Sequence, residues 1–298
     1  MKLIRNKWWY LFKNTFAEFN KDNAIKRSAS LSFYLIFSFP PLIIIILSVF
    51  NIFIGRDPVK AKYFSQINSL VGKASAVKIQ EMVKNISPDS SLFITAIVFI
   101  IILAGAAGVM LEIQSSVNHI WGIKLKPRQS ISHFFKNSLA SFFMVGTAGV
   151  LLIAGLFVNF LMDILYTSLI GNFPKTTVYL FYTLNVLLIY VFITSLFIII
   201  FKALPNGRIP MKDCIIGSLF SSTLFIIGKI IIGSYLSNAY ITSVYGALGS
   251  VTILLIWVYY SSIILYVGAE FTKVFTNMSG HKIMLDENCI SNAEKNRN

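Results

Sequence analysis

ALGSVTILLIWVYYSSIILYVGAEF, residues 247–271, carries a single charged side chain, Glu270, one position from its end. A helix rises about 1.5 Å per residue, so this stretch covers the ~30 Å of a hydrocarbon core. Its apolar residues run all round the helix rather than along one stripe, the pattern of a span rather than of a surface helix. Working outward, five more stretches repeat the pattern: 29–54, 92–111, 139–161, 177–201 and 214–235. A water-soluble core in a chain of 298 residues has no room to bury six such helices. The chain therefore reads as an all-α polytopic membrane protein with six transmembrane helices.

Composition agrees. The chain is 56% hydrophobic and 13% charged, against roughly 25% charged in soluble domains. The segment 55–91 is too short for a core of its own and reads as a short helical extracytoplasmic segment of two amphipathic helices. One membrane domain, 29–271, is expected. It is preceded by an interfacial amphipathic helix within 1–28, where Trp8, Phe12, Thr15, Phe16 and Phe19 share a side. A polar cytoplasmic tail, 272–298, follows, expected to be loosely ordered from about residue 277. No signal peptide is evident, and the first apolar run is expected to remain as a span.

The formal net charge of +14 raises nucleic acid as a partner. The distribution of that charge answers it. With the amino terminus inside, eighteen of the 26 Lys and Arg fall in inner segments and seven in outer ones, while Lys229 lies within a span. This is the positive-inside bias, with both termini cytoplasmic. Anionic membrane lipids account for the basic excess, and no nucleic-acid partner is called for. Cys214 and Cys289 fall on or near the cytoplasmic side, where a structural disulfide is not expected.

Ionisable groups within hydrocarbon are costly and need a reason. Lys229 is the clearest, roughly 9 Å from the outer end of the fifth span at 1.5 Å per residue. Its ammonium could hold an anionic group in a cavity, pair with a buried acid, or snorkel to the headgroups. Asp163 is the candidate acid. With Gly155 and Asn159 it forms a polar line on the third span, so Lys229, Asp163 and Asn159 make up the hypothetical substrate-binding set. Pro40-Pro41 removes two amide donors in the first span and breaks or kinks it, a hypothetical gate. Glu270 and Lys273 are spaced for a local pair.

No catalytic constellation appears. His119, His133 and His281 lack metal-ligand spacing, and no H-E-x-x-H, G-x-S-x-G or P-loop is present. No enzyme, metal or cofactor is expected.

Ala29-Ser30-Leu31-Ser32-Phe33-Tyr34 leading to Ser38-Phe39-Pro40-Pro41 resembles the first-span signature of the YihY/BrkB family of bacterial inner-membrane proteins. So do Val117-Asn118-His119-Ile120-Trp121 and Leu204-Pro205-Asn206-Gly207-Arg208-Ile209-Pro210. The resemblance continues through Gly228-Lys229, Tyr245-Gly246-Ala247-Leu248 and Leu255-Ile256-Trp257-Val258-Tyr259 to Gly268-Ala269-Glu270. It implies six spans in the bacterial cytoplasmic membrane. It places Asn118, Trp121, Pro205, Asn206, Lys229, Tyr245, Gly246 and Glu270 on characteristic positions. Ile226 stands where that pattern often has an acid. The ribonuclease label that such proteins have carried finds no support in these residues. The leading expectation is a transporter or flippase of a lipid or lipid-linked anionic amphiphile. The alternative is a membrane scaffold or envelope-assembly partner.

Overall fold

The structure is a computed structural model that describes residues 2–37, 105, 108–125, 175–237, 247–285 and 289–291. Pro40, Pro41, Asn159, Asp163, Tyr245, Gly246 and the segment 55–91 lie outside the described residues. What is described is mostly helical: α1 (Lys2–Lys21), α2 (24–37), α3 (108–120), α4 (Lys175–Ala203), α5 (Met211–Ser237) and α6 (Ala247–Met278). Among the described residues three stretches are long and apolar enough to cross a membrane: Thr183–Ala203, Met211–Ile232 and Leu255–Met278.

Local chemistry sets the helix ends. α1 stops where Asn23 turns left-handed (φ 52°), with the Asp22 amide donating to the Glu18 carbonyl at 2.9 Å. Asparagine tolerates that conformation better than most residues with a Cβ. α4 ends just before Leu204-Pro205, and proline disfavours helical geometry in the residue preceding it. α5 then starts on the Pro210 carbonyl, which accepts from the amides of Asp213 and Cys214, both at 3.1 Å. α6 terminates through Gly280, whose φ of 76° suits a residue without a Cβ.

The chain divides into two units. The first comprises Met1–Ile25, Ile113–Ile227 and Ile264–Asn298. Its apolar centre holds Leu11, Phe271 and Val274, packed against Ile216, Phe220, Phe275 and Met278. Phe220 and Phe271 stack with ring centroids 4.0 Å apart. The helices approach closely through small residues: a Cβ on Gly217 would run into Thr272, and one on Gly268 into Ser221. Two short sheets belong to this unit. Strand β1 (Ile123–Leu125) pairs antiparallel with β4 (Cys289–Ser291), and β2 (Gly207–Arg208) with β3 (Met284–Leu285).

The tail departs from expectation here. Residues 284–285 and 289–291 are not loose but give their backbone groups to the segments after α3 and α4. Polarity alone concealed this, because pairing satisfies backbone groups whatever the side chains are. α1 also packs inward. Leu11, Thr15 and Phe19 are buried, while Trp8, Phe12 and Phe16 are 47%, 38% and 57% exposed. The packed stripe thus lies beside the aromatic one, and Phe12 at its edge reaches the rings of Phe220 and Phe271.

The second unit comprises Lys26–Glu112 and Gly228–Ile263. In it the Ser32 hydroxyl donates to that of Ser262 at 3.3 Å. Gly108 abuts Tyr34, and Gly228 abuts Tyr260 so closely that a Cβ would collide with the ring.

Candidate functional site

The first unit gathers chemistry-bearing residues from α1, α3, the loop 204–210 and α6. α1 supplies Glu18, and Asp22 follows directly on its last residue, its amide still donating to the Glu18 carbonyl, so the two acids lie on one side. α6 supplies Glu270 and Lys273, three apart. The Lys273 ammonium lies 2.9 Å from Glu18 Oε2, 3.0 Å from Asp22 Oδ2 and 3.3 Å from Glu270 Oε2. Glu270 is wholly buried, Lys273 16% exposed and Asp22 17%, whereas Glu18 at 29% opens to solvent. The hydrogen bond from Lys273 holds the Glu18 carboxyl below its ordinary range, with partial burial opposing it and Lys21, 3.0 Å away, assisting. The Glu270–Lys273 pair forms as its spacing predicts, but as part of a four-residue cluster. One carboxylate oxygen from each of Glu18, Asp22 and Glu270 lies within 4.8 Å of the others, so among the described residues these three could hold a cation.

A second layer of polar contacts fixes α3 against the loop 204–210. Asn118 Oδ1 accepts from the Asn206 amide at 2.8 Å. Gln114 Nε2 donates to the Leu204 carbonyl and to Asn206 Oδ1, each at 2.8 Å. The Lys202 ammonium donates to the Ile209 carbonyl at 2.6 Å. The Trp121 indole donates to the Ala269 carbonyl at 3.1 Å, next to Glu270. Asn118, Trp121, Pro205, Asn206 and Glu270 are all buried. Asp213, also buried, holds His281 Nδ1 at 2.8 Å.

Five of the expected residues therefore share one unit: Asn118, Trp121, Pro205, Asn206 and Glu270. Lys229 is elsewhere, exposed on α5 beside Ile230 and Ile231, which are 63% and 62% exposed. Sequence reasoning missed Gln114, Asp22 and the inward role of Glu18. Glu18 and Asp22 are the acids of an otherwise basic helical segment, and their spacing of four was the available signal.

A model of the family described as "Virulence factor BrkB" matches residues 15–287. The chain belongs to that family. Among the curated relatives of this BrkB-family chain is a UPF0761 membrane protein of Saccharophagus degradans, 27% identical over 266 residues, covering 88% of this chain and 58% of the relative. Another, from Vibrio vulnificus, is 25% identical over 264 residues, covering 86% of this chain and 79% of the relative. A third, from Pseudoalteromonas translucida, is 26% identical over 267 residues, with 89% and 84% covered. The chain spans only 58%, 57% and 63% of the length of the first relatives it matches. Their names are those of membrane proteins and state no enzymatic activity. No solved structure matches the chain. With its apolar helices, the family makes this an integral membrane protein.

Proposed function

We propose that this BrkB-family protein moves a lipid or a lipid-linked anionic amphiphile within the bacterial cytoplasmic membrane, both chain termini lying inside. The observation that carries this reading is Lys229. It stands exposed on α5 among Ile227, Ile230 and Ile231, themselves 46%, 63% and 62% exposed. An ammonium on an apolar helix exterior is costly in hydrocarbon unless it meets an anion or reaches the interface. A phosphate or carboxylate head group approaching from the bilayer is such an anion, and a charge-assisted hydrogen bond would hold it. The close contact of Gly228 with Tyr260 keeps the backbone beside Lys229 fixed. In this reading Asn159 and Asp163 offer further polar contacts, and Pro40-Pro41 provides the break at which the bundle opens. Membrane lipids are the substrate and the surroundings at once.

The test is reconstitution into vesicles carrying a fluorescent anionic lipid or its zwitterionic counterpart, with movement read by dithionite quenching. Lys229→Met should abolish movement of the anionic lipid while the protein stays folded. Unchanged movement would remove the reading.

A scaffold or envelope-assembly role is the second reading. It is favoured by the burial of Asn118, Trp121, Asn206 and Glu270 in fixed packing. It predicts that substitutions at these residues abolish function in cells while Lys229→Met does not.

A further inference from the structure

We propose that residues 281–285 and 289–291 form a releasable strap that, when docked, locks α3 to the loop 204–210. The strap is fastened to both partners of that joint. β3 pairs with β2 inside the loop, and β4 pairs with β1, which follows α3. At the root of the strap the His281 ring meets the Asp213 carboxylate in the first turn of α5, at 2.8 Å. The two fastenings adjoin: a Cβ on Gly207 in β2 would strike Ile123 of β1 and crowd Ile283 of the strap. The joint has hydrogen bonds of its own, from Gln114 to Leu204 and Asn206 and from the Asn206 amide to Asn118. Docking thus adds a second fastening to one that stands without it.

The strap is separable from the body it rests on. α6 closes on itself, the Gly280 amide donating to the Asn277 carbonyl at 3.2 Å and the His281 amide to the Thr276 carbonyl at 3.1 Å. Such a closure satisfies the last helix carbonyls locally. Further back α6 is anchored by buried Phe271 and Val274, so it needs nothing from the strap. The strap's own hold is slight. β3 has two residues and β4 three, and isolated two-stranded pairings are marginal in water. Met284 is 72% exposed, and Ile283 and Leu285 are only half-buried, so little apolar surface retains β3. Asp213 keeps favourable surroundings when His281 leaves, because an acid in the first helical turn faces unpaired amides. Segments held this weakly open locally, at less cost than unfolding the whole.

With the strap docked, α3 and the loop move as one. With it released, only the side-chain hydrogen bonds of Gln114 and Asn118 join them, and α3 can shift. The lock operates whether or not the protein moves lipid.

The chain carries its own reporters, its two cysteines. Cys289 lies in β4 and Cys214 in α5, and both are buried. Release of the strap uncovers Cys289 alone, whereas unfolding uncovers both. The experiment is alkylation of the full-length protein by N-ethylmaleimide in mild detergent, followed at each thiol by peptide mass spectrometry. Each rate is taken relative to that of the same thiol in denaturing detergent. On this scale Cys289 should react about tenfold faster than Cys214 or more, as local opening outpaces global. His281→Ala should speed Cys289 by about two- to fivefold, the scale of a half-exposed ion pair, and leave Cys214 unchanged. Hydrogen exchange in peptides covering 204–210 should rise in the same variant. Equal relative rates for the two thiols overturn the proposal, since the strap then leaves only when the fold does. Cys289 reacting as fast as in denaturing detergent also overturns it, since the strap is then not docked. So does a folded His281→Ala in which Cys289 or the exchange of 204–210 is unchanged. Should His281→Ala fail to fold, the comparison of the two thiols in the wild type decides.

Discussion

Lys273→Met is the substitution with the largest expected cost. Methionine fills nearly the same volume, so packing is retained and the charge alone is lost. Glu270, fully buried, then faces no ammonium: while its carboxyl is ionised, removing one partner of a buried pair costs about 3–5 kcal/mol, and once it takes up a proton the cost shrinks. Asp22 and Glu18 are 17% and 29% exposed, and water solvates them in part, so each adds on the scale of ~0–1 kcal/mol. With that carboxyl ionised, the expected loss is about 3–5 kcal/mol, dominated by Glu270. Unfolding in mixed micelles with increasing denaturing detergent, followed by tryptophan fluorescence, measures it. The double variant Glu270→Gln/Lys273→Met should recover most of the loss, because it removes the stranded charge together with its partner. A loss under about 1 kcal/mol, or a double variant no better than the single one, would refute the claim that Lys273 neutralises a buried acid.

Three further outcomes follow from the same geometry. The Glu18 carboxyl titrates below its ordinary value because Lys273 holds it ionised. Its stabilising contribution is complete above the unfolded value of about 4.3 and is lost as pH falls through the lower folded value, so Glu18→Gln should flatten that acid limb of a stability–pH curve. Asn118→Ala strands the buried Asn206 amide and should cost about 1–3 kcal/mol in the same unfolding assay. Gly217→Val forces α5 away from Thr272 and should cost at least about 1–3 kcal/mol, with a smaller folded yield after detergent extraction.

The membrane class was legible because it rests on length and hydropathy, which are local properties. Thr183–Ala203, Met211–Ile232 and Leu255–Met278 all fall largely within runs marked out from the sequence. The Glu270–Lys273 pair was legible for the same reason, since three residues on one helix are neighbours by construction. Asp22 and Glu18 were not, because their partner lies 251 and 255 residues away and nothing local foretells it. The signature around Asn118, Pro205 and Asn206 marked positions without stating their work. The structure assigns them hydrogen bonds and buried packing that hold α3 to the loop after α4. The exposure of Lys229 was equally hidden, since an all-round apolar helix gives no stripe from which to read its facing.

The ion cluster also bears on how the polypeptide is assembled. Translation delivers Lys273 255 residues after Glu18. Throughout that interval α1 has no basic partner from α6. Docking of α1 therefore reports arrival of α6. A ribosome stalled before residue 273 should leave α1 open to protease, and synthesis past α6 should close it.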